Sequence, residues 1–188
     1  MNLRILFSAV TFALAASFAG SAHANLVTNS GFETGDFSGW TLGGGTDFRG
    51  VDYVAPHSGT YAAFFGAQGT PTTLSQDIAT IIGATYEVSF WLQNGFSGPN
   101  SFSSSFGGQS LTSLSNANAF GYQQLTFLVV ATSANSLLQF AFSHDPSFWD
   151  LDDVSVELVS DVPVPGALLF FVTSILGFGV ARRREKAY

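Results

Sequence analysis

Tyr86, Val88, Phe90 and Leu92 alternate with Glu87, Ser89, Trp91 and Gln93. A period of two puts every apolar side chain of that stretch on one face of an extended chain. Such a strand has to be buried on one side and open on the other. The pattern returns in Leu125, Phe127 and Val129, spaced by Gln124 and Thr126, and in Leu138, Phe140 and Phe142, spaced by Gln139, Ala141 and Ser143. Turn formers punctuate the chain between such segments: Gly43-Gly44-Gly45, Pro56 to Gly59, Gly69 to Pro71, Gly83, Gly95 to Asn100, Gly107-Gly108, Asn116 to Asn118 and His144 to Pro146. No stretch between residues 25 and 161 carries a helical repeat long enough to compete. The expectation is an all-β fold, an antiparallel β-sandwich of two packed sheets with aromatic inner faces. In the serine-rich segment Asn100 to Asn118, Phe102, Ser104 and Phe106 alternate with Ser103 and Ser105, which favours an edge strand over a disordered linker.

Charge narrows the partners. Between Asn25 and Asp161 there are 12 acidic residues and a single base, Arg49, a net of about −11 for that span. Such a surface repels phosphate backbones, so nucleic acid is excluded as a partner, while divalent cations and neutral polymers are compatible. The chain has no cysteine, which removes a disulfide framework, a thiol nucleophile, a zinc–thiolate site and a lipoprotein anchor. A single domain over residues 25–161 is large enough to bury a core without such staples.

Both ends read as addresses. Residues 1–24 begin with a base at Arg4, continue with an apolar stretch from Ile5 to about Ala19, and end in Ala22-His23-Ala24. This is the order of a signal peptide cut by signal peptidase after Ala24. Residues 162–188 open with Val162-Pro163-Val164-Pro165-Gly166, run without a charge to Ala181, and close with Arg182-Arg183-Arg184-Glu185-Lys186. The uncharged run is long enough to be a transmembrane helix, and the basic cluster holds the C-terminus in the cytoplasm.

The order of proline motif, apolar helix with Gly177 and Gly179, and arginine cluster resembles the PEP-CTERM sorting signal of Gram-negative bacteria. The family usually has Glu between the prolines, where this chain has Val164. The resemblance implies processing by an exosortase acting on Pro163, Pro165, Gly166 and Arg182 to Arg184. It also implies export through the inner membrane, membrane anchorage before processing, and a final place at the cell surface or in an exopolysaccharide matrix. A second resemblance rests on Asn25 to Glu33 with Gly39-Trp40, on His57 to Ala63, on Tyr86 to Leu92 and on Trp149 to Val156. These segments resemble the strands of galactose-binding-like jelly rolls and carbohydrate-binding modules.

Candidate chemistry is sparse. No nucleophile elbow, zinc-protease motif, phosphate loop or dinucleotide fingerprint occurs. The two imidazoles of the 25–161 span, His57 and His144, stand in turn-like contexts and read as solvated. A non-enzyme is therefore expected. A jelly roll that joins its first and last strands would bring Glu33 to Asp152 and Asp153, an oxygen set suited to a structural calcium ion. Ordinary strand-end solvation explains the same residues. Unbroken alternation sends Asp152 to the face of Val154 and Val156. Trp91, on the polar face with Glu87 and Gln93, fits either a sugar-stacking platform, with Tyr122, Gln124 and Gln139 beside it, or packing under a loop. Trp40 and Trp149 read as core. The expected function is glycan binding or adhesion in the matrix, with a structural matrix protein and a polysaccharide-active enzyme as the competing readings.

Overall fold

The computed structural model describes residues 24–159. The signal peptide and the sorting tail expected from the sequence lie outside the described residues. Ten strands make up the fold: β1 (Thr41–Gly44), β2 (Arg49–Asp52), β3 (Ala62–Phe65), β4 (Thr72–Ala79), β5 (Thr85–Asn94), β6 (Asn100–Phe106), β7 (Gln109–Ser115), β8 (Phe120–Val130), β9 (Asn135–His144) and β10 (Trp149–Leu158). They form two five-stranded antiparallel sheets. A back sheet is ordered β1-β4-β9-β6-β7 and a front sheet β2-β3-β10-β5-β8. No helix occurs among the described residues. The expected all-β antiparallel sandwich of jelly-roll type is what the chain adopts.

The alternating residues set the layers. Tyr86, Val88, Phe90 and Leu92 of β5 face Phe102 and Phe106 of β6 and Leu138, Phe140 and Phe142 of β9, all of them fully or almost fully buried. Rings interlock across the gap: Phe65 of β3 lies parallel to Phe142 of β9 with centroids 4.0 Å apart, and Phe90 meets Phe140 edge-on at 5.1 Å. At roughly 1.5–3 kcal/mol for each buried large apolar side chain, this aromatic layer is the main force holding the sheets together. Trp40 and Trp149 belong to it, as the sequence suggests.

Asn100 to Ser115 is a hairpin, not a loop. Its first strand, β6, is interior between β9 and β7, and only β7 is an edge. Phe102, Ser104 and Phe106 turn inward as the alternation requires. What the local pattern did not carry is that a further strand would cover β6.

The last strand departs from strict alternation. Trp149 and Leu151 are buried in the core, and so are Val154 and Val156, which are out of phase with them by one residue. The pairing of β10 with β5 shifts between Asp152 and Ser155, and Asp153 has a φ of 46°. This is a β-bulge, two residues opposite one. Asp152 consequently stands opposite Trp91 on the outer face of the front sheet. The expectation that Asp152 shares the face of Val154 and Val156 is overturned by that bulge.

Candidate functional site

The outer face of the front sheet is built in rows. In the upper row Gly50 pairs with Phe64, Phe64 with Asp150, and Asp150 with Gln93. In the lower row Asp152 pairs with Trp91 and Trp91 with Gln124, and Tyr122 lies two residues from Gln124 on the same face. Glu87 projects from the far end of β5, opposite Leu128 and Glu157, about 13 Å along the strand from Trp91. Gln139 belongs to β9 in the back sheet, because Ala131 to Ala134 carries the chain across the sandwich. Trp91, Gln93, Tyr122 and Gln124 are thus brought together, and Glu87 and Gln139 are not.

A loop lies over the lower row. The His57 imidazole stacks on the Trp91 indole with centroids 3.7 Å apart and also meets Tyr122 edge-on at 5.3 Å. Tyr122 Oη donates to the Ala55 carbonyl at 2.6 Å. The bulge anchors the same loop. Asp152 Oδ2 accepts from the amides of His57 (2.8 Å) and Ser58 (3.2 Å), and the Asp153 carboxylate takes His57 Nδ1 at 2.6 Å and Ser58 Oγ at 2.7 Å. Glu33 holds the end of the loop by accepting from the amides of Thr60 (2.9 Å) and Tyr61 (3.1 Å). His57 is therefore a packed residue, contrary to its turn-like sequence context.

Glu33, Asp152 and Asp153 do converge. A methyl group at Gly31 would lie 3.5 Å from an oxygen of each Asp and 3.8 Å from Glu33 Cγ. Their oxygens are turned to N–H and O–H donors, however, and among the described residues no three His, Asp or Glu side chains form a metal-holding group. In this arrangement the carboxylates fasten a loop.

The upper row is half-buried and lies outside the His57 loop's contacts. Gln93 Nε2 donates to Asp150 Oδ2 at 3.2 Å. Burial pushes the Asp150 carboxyl up to about 6, the Gln93 bond opposes the shift, and the Asp52 charge adds to it. Asp152 is also raised, again first by burial and against its amide bonds. The Tyr122 hydroxyl is raised by burial and then by the charges of Asp150, Asp152, Asp153 and Asp52, so the phenol stays protonated and can donate. No lysine or arginine offsets these acids: Arg49, the one such residue among the described residues, gives its guanidinium to the carbonyls of Gly43 (3.3 Å) and Gly45 (2.8 Å).

Beside Gln93 the pairing of β5 with β8 slips between Leu92 and Asn94. The slip leaves a cleft of about 350 Å³ lined by Gln93, Asn94, Gly95, Ala119, Phe120 and Gly121, at the small end of the range for ligand clefts. On the other side of Asp150, Phe64 lies across Gly50, where a Cβ would come 2.7 Å from the ring, and Phe148 stands perpendicular to Phe64 at 5.4 Å. Only glycine permits that ring position. Phe64, Phe148 and Asp150 were not singled out from the sequence. The signal was present for Phe64, an outward aromatic between inward Ala63 and Phe65, the same argument that selected Trp91.

His144 holds Asn94, one of the residues that line the cleft. It is 1% exposed. Its Nε2–H points at Asn94 Oδ1 (2.7 Å) and the Phe96 carbonyl (2.9 Å), while Nδ1 accepts from the Ser147 amide (3.3 Å). Asn94 in turn donates to the carbonyls of Ala117 and Asn118. This neutral imidazole ties three loops together, and burial lowers its pKa. The sequence-level reading of His144 as solvated fails because β9 extends one turn-like residue further than its pattern suggests.

No family model matches the chain, and no curated protein matches it. Solved structures do match in fold. TmCBM61 in complex with beta-1,4-galactotriose is 22% identical, with a TM-score of 0.59 over 72% of this chain and 99% of that one. The CBM22-1 xylan-binding domain from Paenibacillus barcinonensis Xyn10C is 16% identical, with a TM-score of 0.52 over 77% of this chain and all of its own. The enzymatically active domain of bacteriophage CBA120 tailspike protein 4 is 16% identical, with a TM-score of 0.58, and the match spans only 21% of that chain. At these identities the likeness establishes a shared fold with carbohydrate-binding modules.

Proposed function

We propose that the domain is a non-catalytic glycan-binding module that takes a neutral polysaccharide along the upper row of the front sheet. The observation that carries this reading is the half-buried Gln93–Asp150 pair, which lies between the Phe64–Phe148 aromatic pair and the cleft at Gly121. Aromatic faces stack on the C–H faces of sugar rings, and amide and carboxylate groups bind their hydroxyls. Trp91, Tyr122 and Gln124 form its lower margin. The solved carbohydrate-binding modules of the same fold support the assignment.

The proposal extends to the sequence-level reading of the ends: export, exosortase processing through Pro163, Pro165, Gly166 and the cluster at Arg182 to Arg184, and a matrix location. Replacing the three arginines with serine tests that part, because an unchanged mature C-terminus in mass spectrometry would remove the sorting role. Calcium at Glu33 and Asp152 is a separate proposal, which requires these carboxylates to release the amides of the His57 loop. Its test is a calcium-dependent rise in melting temperature that Asp152→Asn abolishes.

Glycan binding is tested by affinity electrophoresis against neutral polysaccharides. A Cβ at Gly121 meets nothing within 4 Å, so the backbone there accepts a side chain, and Gly121→Tyr is the variant chosen to fill the cleft. Retention should fall in Gly121→Tyr and in Gln93→Ala while both melt as the parent. Retention unchanged in both sinks the assignment.

A further inference from the structure

The end of the sandwich opposite the cleft is apolar and uncharged. Three connections form it: Thr80 to Ala84 between β4 and β5, Gly107-Gly108 between β6 and β7, and Ala131 to Ala134 between β8 and β9. None contains a charged residue. Ile81 and Ile82 are 63% and 67% exposed at its outermost point, and Val130 and Val159, at the strand ends on either side of Thr85, are exposed as well. In a domain this acidic, charge is withheld from one end only. The nearest carboxylates, Asp77, Glu87 and Glu157, each sit further up their strands, two residues from Ala79, Thr85 and Val159 respectively.

The tip is held in place. Ala84 N bonds to the Ile81 carbonyl at 3.0 Å, Ile81 N donates to Tyr86 Oη at 2.9 Å, and Gly83 N donates to the Ala131 carbonyl at 2.8 Å. Gly83 takes a φ of 83°, which suits the third position of a four-residue turn and leaves Ile82 at its apex. These isoleucines cannot fold back onto the core. An exposed, rigidly presented apolar cluster marks an interaction surface.

What covers it follows from where the chain goes next. The last strand leaves the domain at this end, with Val159 N bonded to the Thr85 carbonyl at 2.9 Å. Three residues later the sequence begins its 20-residue uncharged run, Val162 to Ala181. Six residues lie between Val159 and Gly166, so the extended chain from one to the other reaches at most about 25 Å. If that run spans a bilayer, the Ile81–Ile82 end is the part of the domain held against the membrane surface.

We propose that the Ile81–Ile82 tip, with Val130, docks into the interfacial layer of the bilayer that holds the C-terminal tail. The docked domain presents the Gln93–Asp150 face near its far end, roughly 30 Å away along β5. This inference uses the sequence reading of the tail and is independent of the glycan assignment.

The test uses the full chain, whose lack of cysteine makes a single introduced thiol unique. Ile82→Cys, and Thr70→Cys at the opposite end as a control, each carry a polarity-sensitive fluorophore. The chains are reconstituted in vesicles of phosphatidylcholine and phosphatidylglycerol containing lipids with a nitroxide on the acyl chain. The expected result is blue-shifted emission quenched by the nitroxide at residue 82 and neither effect at residue 70. In an Ile81→Asp, Ile82→Asp chain with the probe at Val130→Cys, most of the quenching should be lost. Three outcomes overturn the proposal: a residue-82 probe that stays in water, a chain that does not float with the vesicles, or a blue shift that ignores the nitroxide and grows with protein density, which would make the occupant a second copy.

Discussion

His57 lies flat on Trp91, its ring 17° from parallel and 3.7 Å away between centroids. Thirty-four positions of sequence separate the two residues, and the contact is made by a loop that Asp152, Asp153 and Glu33 fasten at three points. The indole face that could stack on a sugar is occupied by an imidazole.

Trp91→Ala is expected to cost about 1–2 kcal/mol in urea unfolding, short of the roughly 3–5 kcal/mol of a fully buried Trp. His57→Ala should increase acrylamide quenching of Trp91 fluorescence and leave glycan retention unchanged. A gain in retention on His57→Ala would mean that Trp91 is the platform once the loop is gone, and that the upper row is not the whole site.

Asp150 titrates against folding. Its folded pKa, about 6, lies above the ordinary carboxylate value of 3.8. The native state therefore binds the proton more tightly, and the associated stability is complete below pH 3.8 and lost as pH rises through 6. The span corresponds to about 3 kcal/mol at most. Asp150→Asn keeps the shape and should flatten the decline between pH 4 and pH 7. Parallel profiles for the two proteins, measured by denaturant midpoints, would contradict the burial argument.

His144 works in the opposite direction. Burial depresses its folded pKa below 6.5, so its contribution is present above pH 6.5 and lost as pH falls through the lower folded value. His144→Phe strands Asn94 Oδ1, the Phe96 carbonyl and the Ser147 amide, and should cost about 2–4 kcal/mol at pH 7.5. It should also remove that part of the acid-side loss. A variant as stable as the parent at neutral pH would show that the three loops hold without it.

Selectivity should follow charge. With Asp52, Asp150 and Asp152 on the face and Arg49 committed to main-chain carbonyls, no lysine or arginine among the described residues is left to pair with an anionic sugar. Polyuronates should not bind, and retention on a neutral polymer should vary little with added salt. Strong retention of a polyuronate would reverse the assigned substrate class.

The strands were legible wherever a run of period two was long enough to outvote its neighbours. Tyr86 to Gln93 and Leu138 to Ser143 are of this kind, because inward and outward environments differ so sharply in a sandwich. Two things were not legible. Which sheet a strand joins depends on crossings such as Ala131 to Ala134, and this is why Gln139 was placed beside Trp91. The packing of His57 and the burial of His144 depend on partners from distant loops, whose turn-like composition says only that the chain reverses there.

The bulge in β10 has a consequence for what each residue of that strand is for. Taking Asp153 out of Trp149-Asp150-Leu151-Asp152-Asp153-Val154-Ser155-Val156 leaves an unbroken alternation in which Trp149, Leu151, Val154 and Val156 all point inward. The core could be specified without Asp153. That residue is surplus to the sandwich and exists for the loop, where it holds His57 and Ser58. Scaffold and surface are therefore written in the same strand but can be edited separately. Deleting one residue should return a domain with its aromatic layer intact and its His57 loop released.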